Sequence, residues 1–119
     1  MKTSNEIIEK EFIRIVESIA LNRIGFDVLC LKGWDNVGCP TYSQAFRWFR
    51  DKHNLHSEPV WDIIDGELVW FFSITEIGNV IDDAIDLPYC KTYEEAELAC
   101  LRQLILIVID NSFKLHKDK

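Results

Sequence analysis

The chain has 119 residues, 48% of them hydrophobic and 28% charged, with a formal charge of −7. That length suits one domain with a single core, and the hydrophobic share excludes wholesale disorder. The acidic balance argues against broad electrostatic binding to nucleic acid or to an anionic membrane, both of which reward clustered Lys and Arg; a basic partner is easier to accommodate.

Residues 1–11 mix both charge signs with single apolar residues and lack the uninterrupted apolar region of a secretory signal. The most apolar run, Leu104 to Ile109, is too short to span a bilayer. A cytoplasmic protein without membrane contact is expected. Cys30, Cys39, Cys90 and Cys100 stand singly, with no C-x-x-C pair, so buried or partly buried thiols are expected ahead of a metal site or disulfides.

Thr3 and Glu6 have capping-box spacing, and Ile8, Phe12, Ile15 and Ile19 recur at helical intervals behind them. This predicts a one-faced helix over about 5–23, closed near Asn22 and Gly25 by a left-handed residue. Between Gly25 and Pro40, Phe26 to Leu31 reads either as a short buried strand or as loop, whereas Gly33, Asn36 and Gly38 mark a loop. Trp34 there is a lid on the core or an exposed contact.

Thr41 and Gln44 repeat the capping-box spacing and open a helix over about 41–54. Its wheel puts Tyr42, Ala45, Phe46, Phe49 and His53 on one face, Arg47, Arg50 and Asp51 away from it, and Trp48 on the flank.

Residues 59–77 read as two strands joined at Asp65-Gly66, a pair that supplies the positive φ angles of a tight hairpin turn. With that turn centre, Trp61 faces Trp70 and Ile63 faces Leu68, and Phe72 and Ile74 continue the same apolar side. Such a ribbon is marginal alone and has to be covered. The other side carries Val60, Asp62, Ile64, Glu67, Val69, Phe71 and Ser73, of which Val69 and Phe71 are more apolar than an open face needs. An acidic connection follows, with an edge strand expected at 87–90, where Pro88 is tolerated at a strand start. Thr92 and Glu95 then open a third helix over about 93–112, whose second half is apolar nearly all round.

The segments P-T-Y-S-Q-A-F-R-W-F-R-D-K-H at 40–53 and T-Y-E-E-A-E-L-A-C-L-R-Q-L-I at 92–105, with Gly25-Phe26-Asp27 and Cys30, resemble a set of short proteins encoded by phages, prophages and mobile elements of anaerobic gut bacteria. The resemblance covers roughly residues 24–109. It implies a mobile-element origin and an accessory role, and it brings no established activity, cofactor or site residue with it.

His53, His56 and Glu58 have the residue types for metal binding or proton transfer, but H-x-x-H-x-E is not a helical zinc pattern and needs a further ligand. His53, on the apolar face, reads as structural. No glycine elbow flanks Ser43, Ser57 or Ser73, and no phosphate-binding glycine loop occurs. No catalytic residue, metal ligand or cofactor is therefore assigned. Arg47, Trp48 and Arg50 compose a basic and aromatic strip of the kind that holds single-stranded nucleic acid, weighed against a solvated helix face. Glu76, Asp82, Asp83 and Asp86 concentrate negative charge in one connection, either as a solvated loop or as a contact patch for a basic groove.

The sequence thus predicts a single α+β domain, with frayed ends at 1–3 and 114–119. An antiparallel sheet is built on the 59–77 hairpin, with a third strand at 27–31 or 87–90. The second and third helices are expected to cover the side bearing Trp61, Ile63, Leu68, Trp70 and Phe72. The function expected is a non-enzymatic protein-interaction module. Its contacts are sought at Val69, Phe71, Trp34, Leu106 and Ile109, and self-association is expected through 104–109. A nucleic-acid regulator at Arg47, Trp48 and Arg50, and a metal-dependent enzyme at His53, His56 and Glu58, are the alternatives.

Overall fold

A computed structural model describes residues 12–27, 32–34, 37–78 and 85–110, with the backbone alone for 32–34, 37 and 38. The architecture is α+β: among the described residues, three helices and a three-stranded antiparallel sheet, with a small two-stranded ladder beside them.

The hairpin forms as its turn chemistry requires. Strands β3 (Leu55–Ile64) and β4 (Glu67–Glu76) meet at Asp65 and Gly66, whose φ angles of 52° and 80° are those of a two-residue primed turn. The register pairs Trp61 with Trp70, Ile63 with Leu68 and Pro59 with Phe72. Strand β5 (Ile85–Asp86) pairs with β4 at Ile74 and Ser73. The chain stays alongside β4 from there, with Leu87 N–H donating to Phe72 O at 3.0 Å and an isolated bridge between Trp70 and Cys90. The third strand therefore lies just ahead of the expected 87–90, and residues 28–31 lie outside the described residues. Strands β1 (Lys32–Trp34) and β2 (Val37–Cys39) form a ladder where the glycines had suggested only loop.

Helix α1 (Ile15–Arg23) corrects the expected 5–23 helix. Residues 5–11 lie outside the described residues, and the chain at 12–14 is extended. Phe12 bridges Thr41, and Ile13 N–H donates to Pro40 O at 2.8 Å, which ties this stretch to the start of the next helix. The buried side is also different. Leu21, Ser18 and Glu17 face inward, while Ile15 and Ile19, expected on the core stripe, are exposed, as is Val16. The physical reason is a buried carboxylate held from two sides: Arg14 Nε donates to Glu17 Oε1 at 3.0 Å and Arg102 Nε to Oε2 at 3.4 Å. Burial alone pushes the Glu17 carboxyl up, and the two guanidiniums more than offset this, so its pKa ends below the usual value. Gly25, at φ 97°, closes the helix as expected.

Helix α2 (Tyr42–His53) has the full reciprocal box: Gln44 N–H donates to Thr41 Oγ1 at 3.1 Å, and Thr41 N–H to Gln44 Oε1 at 2.8 Å. Asn54, left-handed at φ 56°, ends it. Helix α3 (Tyr93–Asp110) starts on Thr92, whose hydroxyl accepts from Glu95 N–H at 3.1 Å. The core gathers Phe49, Tyr42 and Ala45 of α2, Leu101, Leu104 and Cys100 of α3, and Phe72 and Ile74 of β4.

The expected cover of the hairpin holds for only half its length. Phe72 is buried against Phe46 of α2 and Tyr93 of α3, at ring separations of 5.7 and 5.8 Å, and Tyr93 also touches Trp70 at 5.2 Å. Tyr93 is the first residue of α3, so the helix begins level with Trp70 and nothing of it reaches the rows nearer the turn. Ile63 and Leu68, one row nearer the turn, consequently stay exposed, and so does Trp61, which shares the Trp70 row but sits on the outer strand β3, whereas Tyr93 touches Trp70 on β4; this corrects the assignment of all three to the core. Phe72→Ala is expected to cost about 3–5 kcal/mol in urea unfolding, whereas Trp61→Ala should cost less than about 1 kcal/mol. Equal losses would mean that the turn end is core after all.

Candidate interaction surface

The free end of the hairpin is the surface on which apolar side chains converge. Trp61 is 62% exposed, Ile63 53% and Leu68 49%, all on one side of the ribbon. Asp62, Asp65 and Glu67, likewise exposed, surround them at the turn and on the opposite side. A tight turn and a ten-residue ladder hold these side chains in place before any partner arrives, which lowers the entropic cost of binding.

The edge of β3 itself is poorly suited to accepting another strand. Trp70 spends both its N–H and its C=O on Cys90, at 2.8 and 2.6 Å, so the Trp61–Trp70 row is not hydrogen-bonded between β3 and β4. By alternation, the backbone groups of Pro59, Trp61 and Ile63 point outward from the sheet. Pro59 has no N–H, and the N–H of Ile63 is taken by Asp62 Oδ1 at 2.7 Å. Edge pairing is therefore blunted at two successive outward rows on either side of Trp61, and recognition falls to the side chains of the face.

The other sequence-derived candidates separate. On the opposite side of the hairpin, Phe71 packs on Tyr89 at 5.2 Å and is half-buried like Val69, so the segment after β5 partly covers this side. Leu106 and Ile109 are exposed on α3 beside a groove shared with α1. The side chain of Trp34 lies outside the described residues, as do Asp82 and Asp83. Of the acidic patch this leaves Glu76, half-buried at the end of β4, and Asp86, exposed in β5 opposite Ser73.

The basic and aromatic strip loses its ring. Trp48 is buried, not flanking: its Nε1 donates to Asp27 Oδ1 at 3.2 Å, and it packs on Phe26, Phe49 and His53. Arg47 and Arg50 remain exposed, the latter 3.6 Å from Asp51, while the Trp48 ring on which a base would stack is buried. His53 sits with its ring 4.8 Å from Trp48, and His56 lies 3.9 Å from Glu58. Among the described residues, no group of three or more His, Cys, Asp or Glu is placed to hold a metal ion. Among those residues, too, no helix is long and apolar enough to cross a membrane.

The titratable groups inside the fold are tuned by burial. Burial, with Glu97 and Glu17 nearby, pushes Tyr42 up to about 12, and burial chiefly raises Cys100 to about 12, so neither is ionised near neutrality. Glu97 is raised to about 7 by burial and then by the neighbouring Glu94. Tyr42, Tyr93 and Cys100, on which its charge acts, are themselves raised by burial and keep their protons near neutrality.

Compared with known proteins, the chain matches no family model, no curated protein sequence and no solved structure.

Sequence reasoning placed Trp61, Ile63 and Leu68 correctly in register but on the wrong side of the boundary between core and surface. The available signal was the acids Asp62, Asp65 and Glu67, which crowd the turn end, whereas the Trp70–Ile74 run of β4 carries none. Glu97 supplies a separate test. Its folded pKa lies above the 4.5 of a free carboxyl, so the native state holds the proton more tightly and stability falls as pH rises from about 4.5 to about 7. Glu97→Gln should remove that fall and leave the variant more stable than the parent above pH 7. Thermal unfolding of both across this range measures it, and a constant offset between the two would contradict the raised pKa.

Proposed function

We propose that the chain is a non-enzymatic protein-interaction module, an accessory protein of a phage or mobile element, and that the turn end of the β3–β4 hairpin is its contact element. The single observation behind this reading is the pre-ordered apolar triplet Trp61, Ile63 and Leu68, left open at the end of the ladder with Asp62, Asp65 and Glu67 around it. Exposed apolar surface of this kind edged by charge is characteristic of binding sites, and a central Trp is the residue type most often found to dominate binding energy. The surrounding carboxylates select the partner's chemistry: an apolar cleft rimmed by Lys and Arg. The net charge of −7 steers association with such a cleft and repels acidic surfaces. The mobile-element origin rests on the sequence resemblance at 40–53 and 92–105.

The test compares affinity capture from a lysate of the natural host by the parent chain and by Trp61→Ser/Leu68→Ser. A protein retained by the parent and lost by the variant, with the unfolding midpoint unchanged, is the expected result. Removal of a Trp anchor should weaken binding by at least about 30-fold. Equal retention of the same protein by both would move the contact off the hairpin.

A further inference from the structure

We propose that the outer face of α3 binds a second copy of this chain, antiparallel, about a two-fold axis at Leu106. This rests on observations separate from the hairpin. Leu106 and Ile109 are 50% and 57% exposed, and Val16 on the neighbouring α1 is 66% exposed. Between the helices runs a groove of about 350 Å³, floored by Ala20 and Ile105 and closed at one end by Arg102 and Glu17. Ridges of Leu106 and Ile109 beside a groove with a small residue at its base form a self-complementary surface, as an isologous contact requires.

Charge decides the occupant. Arg102, Leu106 and Asp110 are spaced four apart and lie on the same exposed face of α3. When two such helices cross antiparallel at Leu106, Arg102 of each copy stands opposite Asp110 of the other, so two ion pairs flank the apolar centre. Asp110 is the last described residue of α3, and the last described turn of the helix holds no basic residue. Arg102 donates from Nε to Glu17 at 3.4 Å, is about half exposed, and its remaining donors match a second carboxylate. An acidic or uncharged apolar partner would supply only half of this pattern, whereas a second copy supplies all of it. The contact is small, so a reversible dimer follows rather than an obligate one.

Sedimentation equilibrium of the full chain, from low micromolar to submillimolar concentration, tests the proposal. The parent should show a monomer–dimer equilibrium and Leu106→Asp should be monomeric. Asp110→Lys, a change at an exposed position that sets two like-charged pairs face to face, should raise the dimer Kd about tenfold at low salt. Leu106→Cys should form an intermolecular disulfide on mild oxidation, because the two-fold sets the new thiols side by side. The hairpin variant Trp61→Ser/Leu68→Ser should dimerise like the parent. A parent chain that stays monomeric throughout, whatever else covers the groove, would overturn the proposal. So would a dimer that survives Leu106→Asp or that is lost in the hairpin variant.

Discussion

Phe72 is the point at which the sheet and two helices meet, and the rest of the fold is arranged by that contact. It lies on β4, the strand paired on both sides, and its ring is enclosed by Phe46 from α2 and Tyr93 from α3. Burying one aromatic side chain on a twisted ribbon lets both helices dock without competing for the same surface. It also sets a limit. Since α3 begins at Tyr93, the cover ends one row beyond Phe72, and the turn end of the ladder is left to solvent. An exposed apolar hairpin tip is thus a direct consequence of where the packing starts, not an irregularity of the sheet.

The same economy of cover appears on the helices. Helix α1 turns Leu21 and Ser18 inward and accepts a buried Glu17 between Arg14 and Arg102, leaving Val16 and Ile19 outside. Helix α3 buries Leu101, Leu104, Ile105 and Ile107, and leaves Leu106 and Ile109 outside. The chain carries more apolar side chains than one small core encloses. Among the described residues, part of the surplus gathers at the hairpin tip and part at the α1–α3 groove, each edged by charge. Two buried or half-buried carboxylates show how strongly local company matters. Glu17, between two guanidiniums, is held below the usual carboxylate range, whereas Glu97, burdened by burial and by Glu94, is raised to about 7.

Local chemistry was legible in the sequence wherever the cause lies within a few residues. The Asp65-Gly66 turn and the Trp61–Trp70 register follow from two residues and a period of two, and the caps at Thr41 and Thr92 follow from a spacing of three. Helix α2 begins and ends where its caps place it, and Gly25 closes α1. Apart from the local β1–β2 ladder, the features that escaped depend on distant partners. The ion pair from Arg102 to Glu17 spans 85 positions and reverses the buried side of α1. Trp48 turns inward because Asp27 meets its indole N–H and Phe26 and His53 meet its ring. No helical wheel contains those contacts.

What the sequence by itself determined is the helices, the central hairpin with its register and the surplus of apolar residues, because propensity, capping and periodicity act over a few residues at a time. Only the tertiary structure decided which of those apolar residues remain on the surface. Trp61 and Trp70 share one face and face each other across the ladder, so no pattern within the hairpin separates them. The position of Tyr93 does, by ending the cover of α3 at Trp70 and leaving Trp61, Ile63 and Leu68 to solvent. Burial is a property of what lies opposite a side chain, and that is set by the packing of remote segments.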